Sequence, residues 1–304
     1  MTGLLRTFPL TLGLASLVAV CPARPARRAA VVSDDGGGKL HLAKPARRIV
    51  SLNPSTTELL FAIGAGGAMV GRTRWCDWPL GASRVPSVGD GFPPNVEAVL
   101  ARQPDLVVAY PTSANDRALG QLRELGLRVL LLRTDRLEDL ARAARVLGAV
   151  TGRARAGDSL AATIETALAA RRLAPAEEAR GQRVAILAWD APPLVLGTGS
   201  YLHQVVELAG AHNVFADVAR ASSPVSLEAI AARDPDLILA VGDIGANLLR
   251  RPEWRAVRAV REGRVVPLSD PALARPTPRA LTAVASLRTH LARIALSSSL
   301  EIAR

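Results

Sequence analysis

Several patterns that mark common enzyme and metal sites are absent from this chain of 304 residues. It contains no Gly-x-Gly-x-x-Gly fingerprint, no Gly-x4-Gly-Lys-Ser/Thr loop and no Gly-x-Ser-x-Gly elbow; the Gly197–Gly199 segment lacks the third glycine. No His-x3-His pair occurs among its histidines, His41, His203, His212 and His290. A zinc or manganese receptor gathers several histidines and carboxylates, so neither a metal site nor a set of catalytic residues is predicted.

Cysteines, aromatics and long apolar runs are also scarce. The two cysteines are Cys21 and Cys76, and if Cys21 is lipidated or removed no intrachain disulfide can form. Cys76 is then expected to be a small buried residue. The formal charge is +11, but the arginines are scattered along helical segments and aromatics make up only 3% of the chain. Nucleic-acid binding favours a clustered basic stripe with stacking aromatics, so no nucleic-acid partner is predicted.

Residues 1–20 have the pattern of an export signal. Arg6 is followed by thirteen apolar or small residues, which are too few to span a bilayer and fit a signal h-region. Cys21 follows a Val-Ala-Val segment that resembles a lipobox, although Val20 is larger than the residue usual before a lipidated cysteine. Ordinary cleavage a few residues later is the alternative. We therefore expect an exported protein, periplasmic or on the outer face of the cytoplasmic membrane, with Cys21 as the candidate lipidation site.

A fifteen-residue segment occurs twice, 131 positions apart. Asn95–Ala109 reads NVEAVLARQPDLVVA and Ser226–Ala240 reads SLEAIAARDPDLILA, with eight identical positions. Each copy has a helix-capping residue, a glutamate two positions later (Glu97 or Glu228), a short amphipathic stretch and an apolar run with strand character. Two α/β halves with matched acids predict docking on a two-fold symmetric partner.

Strands that alternate with helices predict parallel sheets in both halves. Ser55 and Glu58 form a capping-box pattern, Ser-x-x-Glu, at the start of the first helix. The segment Ala154–Arg172 contains no Pro and is predicted as one long helix that joins the halves. The predicted organisation is a signal and spacer at 1–30, an N-terminal lobe at 31–150, an interlobe helix at 151–180 and a C-terminal lobe at 181–304.

Segments over roughly residues 32 to 290 resemble the helical-backbone solute-binding proteins of ABC importers, the class that delivers cobalamin, haem and ferric siderophores. The matching segments, in the order usual for that class, are SDDGGGKLHLAKPARRIVSLNPSTTELLFAIGA, WCDWP, NVEAVLARQPDLVVA, GSYLHQVVELAGAHNVFAD and PVSLEAIAARDPDLILA. The WCDWP segment and the Ser269–Arg279 element are most similar to the cobalamin-binding branch.

The resemblance implies an α/β fold in which two Rossmann-like lobes with parallel sheets are joined by a single long backbone helix. The ligand would be held in the interlobe cleft, and Glu97 and Glu228 would dock onto arginines of an ABC permease dimer with its ATPase subunits. The favoured cargo is cobalamin; haem or a ferric siderophore is the alternative. No cofactor is expected beyond this cobalt- or iron-containing chelate. The chain would be a monomer that meets the membrane only through the permease or an N-terminal lipid. A Rossmann-like enzyme is the remote alternative.

Aromatic residues lie near the carboxyl ends of predicted strands, where open parallel sheets bind ligands. Tyr110 follows the strand Leu106–Ala109 and Trp189 follows the predicted strand Val184–Ala188. Trp75 and Trp78 lie in the long loop after the strand at 70–73. Flat aromatic faces suit a broad macrocycle, so these four residues are candidate ligand contacts; packing into a lobe core is the alternative for each.

Polar candidates lie near the C-terminal end. Asp270 and Arg275 follow the predicted strand Val265–Leu268, and Arg279 stands at the start of the last helix. The resemblance implies that this element contacts ligand amides. For Arg279, pairing with a neighbouring acid is the alternative, since that is the commoner role of a surface arginine.

Overall fold

The computed structural model describes residues 30–173, 181–268, 272, 273 and 275–302. The predicted signal segment with Cys21, and also Asp270, lie outside the described residues. The strands are β1 Ala30–Ser33, β2 Lys39–Leu42, β3 Ile49–Ser51, β4 Met69–Arg72, β5 Leu106–Ala109, β6 Val129–Leu131, β7 Arg183–Asp190, β8 Pro193–Leu196, β9 His212–Asn213, β10 Ser222–Pro224, β11 Leu237–Val241 and β12 Val265–Leu268.

The helices alternate with these strands through both halves of the chain. They are α1 Pro54–Ala62, α2 Val96–Leu100, α3 Ser113–Glu124, α4 Leu137–Thr151, α5 Ala154–Leu173, α6 Tyr201–Leu208, α7 Leu227–Ala232, α8 Ile244–Arg250, α9 Arg258–Arg261 and α10 Ala280–Ile302. Among the described helices none is both long enough and apolar enough to cross a bilayer.

The N-terminal sheet has the strand order β4-β3-β5-β6, and all three pairings are parallel. Its central strand β5 is fully buried, as expected of a strand that is covered by helices on both faces. Val107 of β5 pairs with Val129 of β6, which brings the carboxyl ends of neighbouring strands to one edge. That edge faces the other lobe.

The C-terminal sheet has the order β10-β8-β7-β11-β12, with β9 beside the start of β7. Strands β7, β11 and β12 are parallel, so the predicted α/β class with parallel sheets is confirmed. Two antiparallel strands, β8 and β10, are additional. The strand was predicted to end at Ala188, but β7 continues to Asp190, and the chain returns at once as β8. Trp189 therefore lies within β7 and does not follow it.

Helices α4 and α5 connect the lobes. α4 ends at Gly152, whose left-handed backbone (φ 70°) turns the chain back, so α5 packs closely against α4. At Gly157 a Cβ atom would lie 2.5 Å from the carbonyl oxygen of Ala144, so only glycine permits this approach. The predicted long helix is α5, Ala154–Leu173. The domain boundaries at residues 30, 150 and 180 stay a prediction.

One continuous apolar cluster extends through both lobes. It joins Leu59 of α1, Leu147 of α4, Ile164 of α5, Val205 of α6 and Val284 of α10, all nearly inaccessible to solvent. Buried apolar contacts of this kind resist relative sliding because interiors pack as densely as organic crystals. The lobes are therefore held by a shared core at the base of the cleft.

The start of α1 differs from the sequence prediction. Asn53 is the N-cap, and its side-chain oxygen accepts a hydrogen bond from the backbone N–H of Ser55 at 2.7 Å. The predicted capping box of Ser55 and Glu58 is therefore wrong. Glu58 is instead directed toward the other lobe, where it pairs with Arg279.

Candidate functional site

A cleft of about 630 Å³ lies between the two sheets. Both lobes contribute to its walls, together with the connection before α10. The lining residues are Leu52, Asn53, Pro54, Ser55, Thr73, Trp75, Asp90, Phe92, Tyr110, Thr134, Asp135, Leu196, Gly199, Ser200, Tyr201, Ala221, Ser222, Arg275 and Pro276.

The N-terminal wall is built from the carboxyl ends of its four parallel strands. Leu52 follows β3, Thr73 follows β4, Tyr110 follows β5, and Thr134 lies three residues after β6. A parallel sheet gathers these positions at one edge, which is where open α/β sheets bind their ligands. The structure thus places Tyr110 where the strand pattern predicted it.

The C-terminal wall is formed by β8, β10 and the beginning of α6. Leu196 ends β8, Ser222 begins β10, and Ser200 caps α6 by accepting a hydrogen bond from the backbone N–H of Leu202. The intervening glycine turn serves close backbone packing, because a Cβ atom on Gly197 would lie 2.1 Å from the Val218 carbonyl oxygen. The turn is therefore occupied by protein backbone and does not form a phosphate cradle.

Tyr110 is held by an acid that also lines the cleft. Its hydroxyl donates to Oδ1 of Asp135 at 2.5 Å. Burial, and next the hydrogen bond to the Asp135 carboxylate, raise the pKa of Tyr110 to about 12. Asp135 also lies 3.7 Å from the guanidinium of Arg133. The phenol therefore stays protonated at neutral pH and presents its ring to the cleft.

Tyr201, the other tyrosine of the chain, lies on the opposite wall. Its hydroxyl donates to the carbonyl oxygen of Leu273, and burial raises the pKa of this phenol as well. None of the histidines lines the cleft. The described residues also contain no group of three or more His, Cys, Asp or Glu side chains suited to hold a metal ion. This part of the structure thus offers neither an imidazole nor an ionised phenolate to a metal in the cleft.

The predicted tryptophans separate into two groups. Trp75 lines the cleft and is 52% exposed, with Arg74 4.9 Å above its ring and Asp90 paired to that arginine. Trp78 and Trp189 are not among the lining residues. Trp189 is 55% exposed, and its indole N–H donates to the carbonyl oxygen of Ala191 at 3.0 Å.

The predicted arginines contact the opposite lobe. Arg275 lines the cleft and donates through Nη1 to the Trp75 carbonyl oxygen at 2.6 Å and to Oδ1 of Asp77 at 2.8 Å. Arg279 donates through Nε and Nη2 to both carboxylate oxygens of Glu58, at 2.9 and 2.6 Å. The expected neighbouring acid of Arg279 is thus 221 positions away in sequence.

Cys76 is buried next to Thr73, one of the residues that line the cleft. It is 1% exposed, and its sulfur lies 3.1 Å from the hydroxyls of both Thr57 and Thr73. This agrees with the prediction of a small buried residue.

The roles of Asp135, Tyr201 and Glu58 at the cleft were not predicted from the sequence. Asp135 lies close after a predicted strand, so its position carried a usable signal. The roles of Tyr201 and Glu58 depend on contacts between lobes, for which the sequence contains no local signal.

The two repeat copies have the same geometry. Glu97 lies in the first turn of α2, where Asn95 caps the helix through the backbone N–H of Ala98 at 2.9 Å. Glu228 lies in the first turn of α7, where Ser226 caps it in the same way. Both carboxylates are exposed, and neither forms an ion pair within the part of the chain that the structure describes. A hydrogen bond from its own backbone N–H, and next one from the Ser226 side chain, lower the pKa of Glu228.

Each repeat helix is followed closely by a residue with left-handed backbone, Gln103 (φ 47°) after α2 and Asp234 (φ 40°) after α7, again 131 positions apart. The aspartate of each Pro-Asp pair links the strand that follows it to a neighbouring strand by a hydrogen bond. Asp105 accepts from the backbone N–H of Arg48 at 3.0 Å, and Asp236 accepts from that of Arg183 at 3.0 Å.

One arginine in each lobe also makes the same hydrogen bond to the end of the repeat helix. Nη2 of Arg48 donates to the carbonyl oxygen of Arg102, and Nη2 of Arg183 donates to that of Arg233, both at 2.6 Å. These carbonyls belong to the helix ends, where backbone acceptors lack intrahelical partners. The position of each glutamate is therefore determined by the same set of caps in both lobes.

The sequence profile of the periplasmic binding protein family matches residues 49–272, which include both lobes and most of the cleft. The chain belongs to this family. It is accordingly an exported solute-binding protein and not an enzyme, as the sequence resemblance implied.

Three relatives illustrate the similarity. The chain is 31% identical over 249 residues to the vitamin B12-binding protein of Salmonella paratyphi A, covering 82% of this chain and 91% of that protein. The crystal structure of the Vibrio cholerae periplasmic vitamin B12-binding protein superposes with a TM-score of 0.69 at 30% identity, covering 81% of this chain and 97% of that one. A periplasmic haem-binding protein from Pseudomonas aeruginosa gives 0.71 at 27% identity, covering 82% and 93%.

Proposed function

We propose that this protein captures cobalamin in the interlobe cleft and delivers it to an ABC permease. The observation that carries the proposal is a cleft with aromatic faces and polar hydrogen-bonding groups, whose described lining residues include no His, Met or Cys. The relatives at about 30% identity, which are named for vitamin B12, support the same cargo.

The described lining residues favour a corrin over haem, because they supply no imidazole, thioether or thiolate. A protein that holds haem by its iron uses His, Tyr, Met or Cys as an axial ligand. Tyr110 is a poor candidate because its phenol donates to Asp135 and its pKa is raised to about 12. Cobalamin supplies an axial base to its own cobalt. A cleft that binds it therefore needs only apolar surfaces for the corrin ring and hydrogen-bonding groups for its rim.

The chemistry of the lining suits the rim of a corrin, which carries many primary amides. The carboxylates of Asp90 and Asp135 can accept from amide N–H groups, and the hydroxyl of Ser200 can donate to an amide carbonyl oxygen. The ring of Trp75 offers an exposed apolar face for the macrocycle. A ligand with several carboxylates would be repelled by the carboxylates of Asp90 and Asp135.

Glu97 and Glu228 are the proposed contacts with the permease. Each is exposed, lies in the first turn of a helix and is free of ion pairs in the described part of the chain. A dimeric permease that presents one arginine cluster per subunit would meet one carboxylate per lobe. We further propose that the exported protein acts as a monomer and that Cys21 carries a lipid anchor.

Isothermal titration of the purified protein with cyanocobalamin, haemin and a ferric hydroxamate tests the cargo. We expect saturable one-to-one binding of cyanocobalamin, and none of haemin or the hydroxamate at the same concentrations. Saturable binding of haemin or the hydroxamate alone would replace the cargo within the same family. Failure to bind any of the three would contradict the proposal.

A further inference from the structure

Two arginines of the C-terminal half reach across the mouth of the cleft to one short loop. We name residues 75–78, which carry Trp75, Asp77 and Trp78, the aromatic loop. Arg275 donates to the carbonyl oxygen of Trp75 and to the carboxylate of Asp77 at the first part of the loop. Arg279 lies beside the last part, with its guanidinium carbon 4.8 Å from the centroid of the Trp78 ring. The loop is thus held at both ends from the opposite lobe.

Arg279 is fixed in turn by a buried acid. The Glu58 side chain is only 4% exposed, and the Arg279 side chain is 25% exposed. A carboxylate taken out of water requires a paired cation and hydrogen bonds, and the two parallel N–H···O bonds of a guanidinium supply both. Because this fork is planar and rigid, it also determines the plane that the guanidinium presents to Trp78.

The order of contacts is therefore Glu58, Arg279, Trp78, with Trp75 three residues away on the cleft wall. Glu58 does not line the cleft, and neither does Arg279. Trp78 does not line it either, so all three side chains lie outside the described cleft lining, to which the loop contributes Trp75.

We propose that Arg279 is a positioning residue: through Glu58 and Trp78 it holds the aromatic loop in the conformation that the ligand meets, without contacting the ligand itself. The proposal rests on the proposed function, since it takes the cleft as the ligand site. It replaces the expectation that Arg279 contacts ligand amides, and it makes the shape of the N-terminal wall depend on the C-terminal lobe.

Glu58→Gln is the decisive variant, because Glu58 cannot reach a ligand in the cleft. It is compared with Arg279→Met, with Arg279→Lys and with the Glu58→Gln/Arg279→Met double variant. Arg233→Met is a matched control: Arg233 also forms two hydrogen bonds with one carboxylate, that of Asp217, and lies 4.4 Å from an aromatic ring, that of Phe215, away from the cleft.

Two quantities are measured: the Kd for cyanocobalamin and the rate of amide hydrogen exchange in residues 75–78 of the ligand-free protein. We expect Glu58→Gln and Arg279→Met each to weaken binding about fivefold to tenfold, and the double variant to weaken it no further. Exchange in the aromatic loop should accelerate in all three. Arg279→Lys should recover part of the affinity, and Arg233→Met should change neither quantity.

A loss of affinity in Arg279→Met with unchanged affinity and exchange in Glu58→Gln would assign Arg279 a direct ligand contact and overturn the proposal. Unchanged exchange in the aromatic loop of both single variants would also overturn it. If the wild-type protein binds no cobalamin, the proposed function fails, but the exchange measurement still decides whether Glu58 and Arg279 hold the loop. If Arg279→Met does not fold, Glu58→Gln and Arg279→Lys carry the test.

Discussion

Replacing Trp75 with alanine tests whether the cleft binds its ligand through aromatic area. A tryptophan side chain can bury about 150–250 Å². Trp75 is 52% exposed, so about 100 Å² of it, the middle of the resulting range, is open to a ligand. At about 25 cal/mol per Å² this area is worth at most about 2.5 kcal/mol. A ligand stacked on one face covers about half of it, so we expect a loss of about 1.3 kcal/mol, close to tenfold in Kd.

Trp189→Ala is the matched control in the same assay. Trp189 is 55% exposed, so its removal deletes the same ring at nearly the same exposure. Sequence analysis predicted Trp189 as a ligand contact, but the structure places it within β7 and outside the cleft lining. We therefore expect Trp189→Ala to leave the Kd for cyanocobalamin unchanged.

The assay is calorimetric titration, with thermal unfolding of each variant to show that it is folded. Unchanged affinity in Trp75→Ala would refute the area argument. An equal loss in Trp75→Ala and Trp189→Ala would refute the placement of the cleft, because it would require Trp189 to bury as much area against the ligand as Trp75 does.

The other two predictions concern docking and ionisation. Charge reversal of both Glu97 and Glu228 to Arg should abolish cobalamin uptake by cells that depend on this protein while leaving Kd unchanged; the exposed Glu124→Arg is the control, and normal uptake by the double variant would contradict docking. In an absorbance titration neither Tyr110 nor Tyr201 should ionise near pH 10, because the fold raises the pKa of both. The native state therefore binds more protons than the unfolded state above pH 10, so stability should fall as pH rises toward about 12. Phenolate absorbance at pH 10 in the folded protein would contradict this.

The sequence predicted features that depend on local order along the chain. Tyr110 follows its strand and therefore lies at the cleft, and α5 follows from a run of good helix formers without Pro. Strand β8 was missed because four residues between a proline-containing turn and a glycine turn carry too little periodicity to distinguish a strand from a loop. The position of a residue relative to a strand can thus be predicted from the sequence only where the strand itself can be predicted.

The pair of Glu58 and Arg279 could not be predicted for a different reason. Their separation of 221 positions means that only the packing of two lobes brings them together. In the sequence, Glu58 fits a capping box equally well, and the local pattern favours that wrong assignment. Contacts between lobes determine the cleft wall, so the residues that shape the site are the ones that local reasoning identifies least well.

The two lobes share the same repeated helix starts but have different cleft walls. Glu97 and Glu228 are set by the same caps, and the left-handed residues and strand-fastening aspartates recur in both copies. The cleft walls differ: parallel strand ends form one, and antiparallel strands with a helix start form the other. An asymmetric ligand requires two different walls, whereas a two-fold partner requires equal spacing of two acids on one face. Because a shared apolar core and two arginines connect the lobes, we expect the spacing of the two proposed docking acids to stay constant when an asymmetric ligand binds.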